Sequence, residues 1–115
     1  MRRLLVDGNN VMGARPDGWW RDRAGARRRL LDSLEAHAER TGTSITVVFD
    51  GREGDLASER VEVRFAAHAD DLLAELAAPD ATLVTSDREL GRRARSRGAE
   101  VIGSGGFRAQ LDRGG

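Results

Sequence analysis

Two apolar runs end in the same way, and this shared ending constrains the fold more than any other feature. Leu4-Leu5-Val6 is followed by Asp7-Gly8, and residues 45–49 are followed by Asp50-Gly51. Short apolar runs bounded by turn residues are typical of buried strands in a parallel sheet. The carboxyl ends of parallel strands meet at one edge, where open α/β sheets bind ligands. Both aspartates are therefore candidate site residues, with a purely turn-forming role for Asp7 as the alternative.

Helix and strand patterns alternate along the rest of the chain. Apolar residues repeat with a helical period over residues 24–40 and 69–78, and the spacing of Ser86 and Glu89 predicts a capping box that opens a helix over 86–97. Strands are expected at 61–65 (an edge strand), 81–85 and 99–102, with a loop over 12–22 and a final helix over 107–113. This order predicts a three-layer α/β/α sandwich with a mostly parallel sheet of about five strands, a Rossmann-like arrangement.

Length and composition narrow the functional classes. The chain has 115 residues, enough for one compact domain, which we assign to residues 1–115. It contains no cysteine, which excludes disulfides, thiol nucleophiles and thiolate zinc sites. It also contains no lysine, which excludes a Schiff-base lysine and a Walker-type phosphate loop. No apolar run is long enough to span a membrane, so we expect a cytoplasmic protein without a membrane partner.

Arginines gather in two stretches, residues 15–29 and 88–97, although the formal net charge is zero. Each stretch is either a polyanion-binding surface or a solvated helix face. Trp19 and Trp20, in the predicted loop, likewise either stack on bases or cover the core. His37 is expected on the surface of the first long helix, without a chemical role.

Further carboxylates fall at the same predicted edge of the sheet as the two Asp-Gly ends. Asp87 follows a strand and opens a helix, while Asp70 lies in the first turn of another helix and can face the cleft. Asp71 points away from the apolar stripe and is expected in solvent. Clustered carboxylates repel each other unless a cation is present, and Mg²⁺ or Mn²⁺ prefers such oxygen ligands. These ions are common catalysts of phosphodiester hydrolysis, so the pattern predicts a metal-dependent nuclease.

Four motifs carry a resemblance to a known family. They occur in the order and spacing of the NYN domains: Asp7-Gly8-Asn9-Asn10, Val47-Val48-Phe49-Asp50, Ala69-Asp70-Asp71 and Val84-Thr85-Ser86-Asp87. From Arg3 to about Asp112 the chain resembles the NYN domains of the PIN-like ribonuclease superfamily, above all their YacP-like bacterial branch. Asn9 stands where members of the family often carry an aromatic residue.

The resemblance implies roles for individual residues. Asp7, Asp70 and Asp87 would be the catalytic metal ligands, with Mg²⁺ or Mn²⁺ as the cofactor, and Asn10 and Asp50 would lie close to the site. The resemblance also implies products with 5′-phosphate and 3′-hydroxyl ends.

Four further side chains, in or near these motifs, complete the set of candidate site residues. Ser86 would support the site, either by capping the helix or by a hydrogen bond to phosphate. Arg88 and Arg92 are candidate contacts to the substrate phosphates. His68 is a candidate proton shuttle, although metal-activated water needs no such base.

The sequence thus predicts a metal-dependent endoribonuclease with RNA as its partner. Two alternatives stay open: an RNA- or ribosome-binding module of the same fold with weak or no catalysis, and a phosphatase that acts on a small phosphoester. A homo-oligomer is compatible with the sequence.

Overall fold

The fold is built on one five-stranded parallel sheet. The computed structural model describes residues 2–15, 17–52, 54 and 56–114. The strands are β1 (Arg3–Asp7), β2 (Ser44–Asp50), β3 (Val61–Ala66), β4 (Ala81–Val84) and β5 (Glu100–Ile102). Their order across the sheet is β3-β2-β1-β4-β5, and every neighbouring pair is parallel. The predicted parallel sheet of about five strands, with 61–65 at an edge, is confirmed.

Helices cover both faces of the sheet. They are α1 (Gly8–Met12), α2 (Arg23–Thr41), α3 (Ala69–Leu76), α4 (Arg88–Ser96) and α5 (Ser104–Arg113). Leu30, Leu34 and Phe107, on α2 and α5, share one buried cluster with alternate residues of β1 and β2. Leu73 and Leu90, on α3 and α4, share the other cluster with the intervening strand residues. Side chains alternate between the faces of a strand, so the two clusters lie on opposite sides of the sheet. The α/β/α sandwich is confirmed.

The strand order creates a switch point in the middle of the sheet. From β1 the chain runs outward through β2 and β3, then crosses back to β4 on the other side of β1 and continues to β5. The crevice outside the carboxyl ends of the strands at such a point is the usual ligand site of open α/β sheets. Asp7, the last residue of β1, and residues 85–87, which follow β4, lie on its two sides.

Close packing around Gly8 determines how the chain leaves β1. A Cβ atom on Gly8 would lie 2.6 Å from Cε1 of Phe49 and 2.9 Å from the Val48 carbonyl oxygen. Only glycine therefore lets α1 begin directly at the strand end, where it presents Asn9 and Asn10 to the crevice.

Several expectations about local structure were wrong. The turn residues expected after the first strand belong instead to the short helix α1, and Trp19–Arg21 form a 3₁₀ turn within the predicted loop. Trp19 packs against the core, as one of the two interpretations predicts, whereas Trp20 is exposed. His37 is buried rather than on the surface, because α5 places Phe107 edge-on against its ring. Burial lowers the pKa of His37, and Arg40 lowers it further.

The predicted capping box is also wrong. The residue that caps α4 is Asp87, whose Oδ1 accepts a hydrogen bond from the Leu90 amide at 3.1 Å. Ser86 has another role, because its Oγ accepts a hydrogen bond from the Ser104 amide at 2.9 Å. No helix in the described part of the chain is both long and apolar enough to cross a membrane.

Candidate acidic site

A cavity of about 320 Å³ opens at the carboxyl ends of the strands. Its described lining consists only of carboxylate and amide residues: Asp7, Asn9, Asn10, Asp50, Asp70 and Asp87. The structure therefore brings together the three predicted catalytic aspartates and two of the three predicted supporting residues. Asn9, which sequence reasoning did not propose for the site, also lines the cavity.

Asp7 is the most buried of the described acids that line the cavity. Only 8% of its surface is exposed, and its Oδ2 accepts a hydrogen bond from Thr85 Oγ1 at 2.8 Å. Burial, together with the charges of Asp50 and Asp87, raises the pKa of Asp7 from 3.8 to about 6, against the lowering effect of hydrogen bonds from Thr85 and the Asn10 amide. A buried acid beside two other acids is a typical cation site.

Thr85 and Asp87 connect this acid to the start of α4. The Thr85 hydroxyl donates to Asp7 and accepts a hydrogen bond from the Asp87 amide at 3.1 Å. Because Oδ1 of Asp87 caps the helix, Oδ2 is left without a hydrogen bond to a described residue. The helix cap thus fixes the orientation of one carboxylate at the cavity.

Asp50 is held in the same manner on the other side of β1. Its Oδ1 accepts a hydrogen bond from the Ala69 amide at 3.1 Å, at the start of α3, while its own amide donates to Oδ1 of Asn9 at 3.0 Å. Asn9 therefore ties α1 to the end of β2, a contact across 41 positions of the chain that no local sequence pattern indicates.

Asn10 ties α1 to the opposite wall. Its Oδ1 accepts hydrogen bonds from the Ser86 amide, at 2.8 Å, and from the Ser104 hydroxyl. With the bond from Ser104 to Ser86, these contacts join the ends of β1 and β4 to the start of α5. Ser86 supports the site in this way and is not among the described residues that line the cavity.

Asp70 and Asp71 differ as their helix positions predict. Asp70 lines the cavity, while Oδ1 of Asp71 pairs with Nη1 of Arg93 at 2.9 Å on the outer surface. The same Nη1 lies 4.0 Å from Oδ2 of Asp70. Arg93 thus lies within ion-pair distance of an acid of the cavity, whereas the predicted substrate contact Arg92 pairs with Glu89.

The other basic candidates lie outside the cavity lining. Arg88 is exposed in the first turn of α4, and His68 is exposed just before α3. Neither belongs to the described residues around the cavity. Arg27 of α2 does approach it, because its Nη2 donates to the Asp50 carbonyl oxygen at 3.3 Å.

The donor chemistry suits a hard divalent cation, although the described side chains do not enclose one as they stand. Each described residue that lines the cavity carries a carboxylate or an amide oxygen, the kind of ligand that Mg²⁺ and Mn²⁺ prefer. No group of three or more described acidic or histidine side chains is arranged so that it could hold a metal ion. Mg²⁺ retains several waters and is usually held by one or two carboxylates together with substrate phosphates, so a preformed cage is not required.

The doubly covered parallel sheet and the acidic crevice at its switch point define the class of protein: this is a doubly wound α/β/α fold with an acidic site at the carboxyl ends of its strands. Residues 4–114 match the family model of the YacP-like NYN domain. The chain belongs to the YacP-like NYN domain family, which confirms the resemblance found in the sequence.

Solved structures agree with this assignment. The chain is similar to Rae1 (YacP) from Bacillus subtilis, with a TM-score of 0.82 and 27% identity over 98% of this chain and 75% of that chain. A mutant of the same Bacillus subtilis protein gives a TM-score of 0.80 and 27% identity over 98% of this chain and 78% of the other. A search of curated proteins gave no match.

Proposed function

We propose that the protein is a metal-dependent endoribonuclease that hydrolyses RNA phosphodiester bonds at the acidic cavity. The observation that carries the proposal is the convergence of Asp7, Asp50, Asp70 and Asp87 on one cavity at the switch point of a ribonuclease-like fold. Membership of the YacP-like NYN family supports RNA as the substrate class. A cytoplasmic location stays a prediction from the sequence.

Each residue of the cavity has a distinct part in this proposal. Asp7, Asp70 and Asp87 would hold Mg²⁺ or Mn²⁺. Asp50 would orient the waters around the ion with the oxygen that does not cap α3, and Asn10 would keep the two walls at a fixed separation. When bound, the ion supplies an activated water and neutralises the charge that develops on the phosphate.

Thr85 and the helix caps prepare the site before the substrate arrives. Thr85 fixes one oxygen of Asp7, and backbone amides fix one oxygen each of Asp50 and Asp87. The second oxygen of each of these carboxylates is thereby oriented before the ion binds, so binding costs little further side-chain entropy. Such preorganisation favours catalysis. The exposed Arg88 and Arg92 would contact phosphates outside the cavity, since the acids themselves repel RNA.

The test is cleavage of a labelled single-stranded RNA in the presence of Mn²⁺ by the wild-type chain and by single variants. Asp7→Asn, Asp70→Asn and Asp87→Asn should each lower the rate at least a hundredfold, because a lost ligand removes ion binding. Asp71→Asn is the matched control: it makes the same change on the neighbouring residue, whose carboxylate pairs with Arg93 outside the cavity.

Comparable losses in Asp70→Asn and Asp71→Asn would show that general destabilisation of α3, and not loss of a ligand, explains the effect. Wild-type protein that fails to cleave RNA with either ion would remove the catalytic proposal.

One observation favours a second candidate, an RNA-binding module with weak or no catalysis. As they stand, the described carboxylates do not form a group that could hold an ion. The same RNA separates the two candidates: the module would bind it without changing its length, and its affinity would be insensitive to Mn²⁺.

A further inference from the structure

A second cavity, of about 290 Å³, lies between the first turns of α2 and the edge strand β3. Its described lining combines apolar groups with cations: Ala24, Arg27, Arg28, Gly54, Leu56 and Phe65. This chemistry is the opposite of that in the acidic cavity, whose described lining consists of aspartates and asparagines. The proposed hydrolysis makes no use of this second cavity.

Arg27 connects the two cavities. Its Nη2 donates to the carbonyl oxygen of Asp50, which lines the acidic cavity, while Arg27 itself lines the second one. The guanidinium carbon lies 5.7 Å from the ring centroids of both Phe49 and Phe65. These rings hold the guanidinium in place by cation–π contact. A ligand in the second cavity would therefore lie directly beside the acidic site.

The charge on this wall is not compensated by nearby acids in the described structure. Neither Arg27 nor Arg28 forms an ion pair with a described carboxylate. Nε of Arg27 is buried and lacks a hydrogen-bond partner among the described residues. An anion is the complementary ligand for two such guanidinium groups.

The apolar part of the cavity selects among anions. Phe65 and Leu56 offer an aromatic ring and an aliphatic side chain, which a simple phosphate does not use. Single-stranded nucleic acid uses both kinds of group, because its bases stack on aromatic and guanidinium planes while its phosphates pair with cations.

We infer that this cavity is a nucleotide subsite, in which one unstacked base of single-stranded RNA contacts Phe65 and Arg27 while Arg28 pairs with an adjacent phosphate. The RNA strand then runs from the acidic cavity past Asp50 toward the start of α2. The inference rests on the proposed function for the identity of RNA as the ligand, and it does not require cleavage.

The experiment measures binding of two labelled oligomers to the full chain carrying Asp7→Asn, with Ca²⁺ present, so that bound RNA stays intact. One oligomer is a single-stranded RNA, and the other has the same sugar-phosphate backbone without bases. Adding Phe65→Leu should weaken binding of the RNA about tenfold and leave the baseless oligomer unaffected, because only the stacking contact is lost. Adding Arg28→Ala should weaken both oligomers and lower the salt slope by about one contact.

Two control variants make the measurement specific. Phe107→Leu makes the same change in the same core cluster but on α5, outside this cavity. Arg64→Ala removes the same charge as Arg28→Ala from an exposed position on β3, next to Phe65 on the opposite face of the strand. Both controls should bind the two oligomers as their parent does.

The possible outcomes separate the subsite from catalysis. Equal effects of Phe65→Leu on both oligomers, no effect on either, or the same loss with Phe107→Leu would overturn the subsite. A parent protein that binds neither oligomer would overturn it as well. A base-dependent loss in a protein that never cleaves RNA would leave the subsite in place and remove only the proposed catalysis.

Discussion

Replacing Asp7 by asparagine should stabilise the metal-free protein at neutral pH, and the size of the effect follows from the pKa. Burial and neighbouring acids raise the pKa of Asp7 from 3.8 to about 6. Between these values the unfolded chain loses its proton while the folded chain retains it, so the free energy of unfolding falls as the pH rises. Above about pH 6 the raised pKa lowers the free energy of unfolding by its full amount, about 3 kcal/mol at 1.36 kcal/mol per pKa unit.

The comparison between two pH values isolates this loss of stability. With the two pKa values above, the free energy of unfolding of the wild type is lowered by about 1 kcal/mol at about pH 4.5 and by about 3 kcal/mol at about pH 7.5. The stability of Asp7→Asn relative to the wild type should therefore rise by about 2 kcal/mol between the two conditions. Any fixed packing cost of the asparagine cancels in this difference. The measurement is urea unfolding followed by circular dichroism, with EDTA present.

Asp32→Asn provides the control, because it removes a carboxylate from an exposed position on α2. Its relative stability should change little over the same pH interval. Adding Mn²⁺ at about a hundred times its Kd should then stabilise the wild type by about 2.7 kcal/mol and Asp7→Asn much less. A relative stability of Asp7→Asn that is independent of pH would refute the reasoning about its burial and its acidic neighbours.

Two further predictions concern packing and charge. Gly8→Ala should lower the free energy of unfolding by about 1 to 3 kcal/mol in the same urea assay, because its Cβ would collide with Phe49. A variant that unfolds at the same urea concentration as the wild type would contradict this packing. Arg88→Ala and Arg92→Ala should each reduce the salt slope of RNA binding by about one contact, and Arg27→Ala should also weaken binding, because its guanidinium lies beside Asp50 of the acidic cavity. Slopes equal to that of the wild type would identify these arginines as solvated.

The parts of the fold that the sequence predicted are those set by local pattern. The apolar runs that end at Asp7 and Asp50 correctly indicated parallel strands with a shared edge, and the helical stripe over 24–40 matches α2. Gly42 ends α2 with a positive φ of 70°, a conformation that glycine adopts readily just after a helix. Each of these features depends on residues close together in the chain.

The features that were missed depend on contacts between distant residues. Ser86 has the spacing of a capping residue, but Ser104 engages its hydroxyl and Asp87 caps the helix instead. The position of His37 within α2 gave no sign that α5 would cover it. The approach of Arg27 to Asp50 likewise depends on how α2 packs on the sheet, which periodicity does not specify.

The candidate site was predictable in its members but not in its geometry. Strand ends and helix starts indicated which acids would converge, and the structure places Asp7, Asp50, Asp70 and Asp87 around one cavity. The caps that occupy one oxygen of Asp50 and of Asp87, and the part played by Asn9, emerge only from the assembled sheet.

The central claim, that the acidic cavity binds a divalent cation, is tested most directly by anomalous diffraction from crystals soaked in Mn²⁺. The account predicts a peak in the cavity within coordination distance of Asp7 and of at least one of Asp70 and Asp87, and no such peak in crystals of Asp7→Asn. Soaked wild-type crystals without an anomalous peak in this cavity, or with manganese bound only elsewhere, would contradict the account.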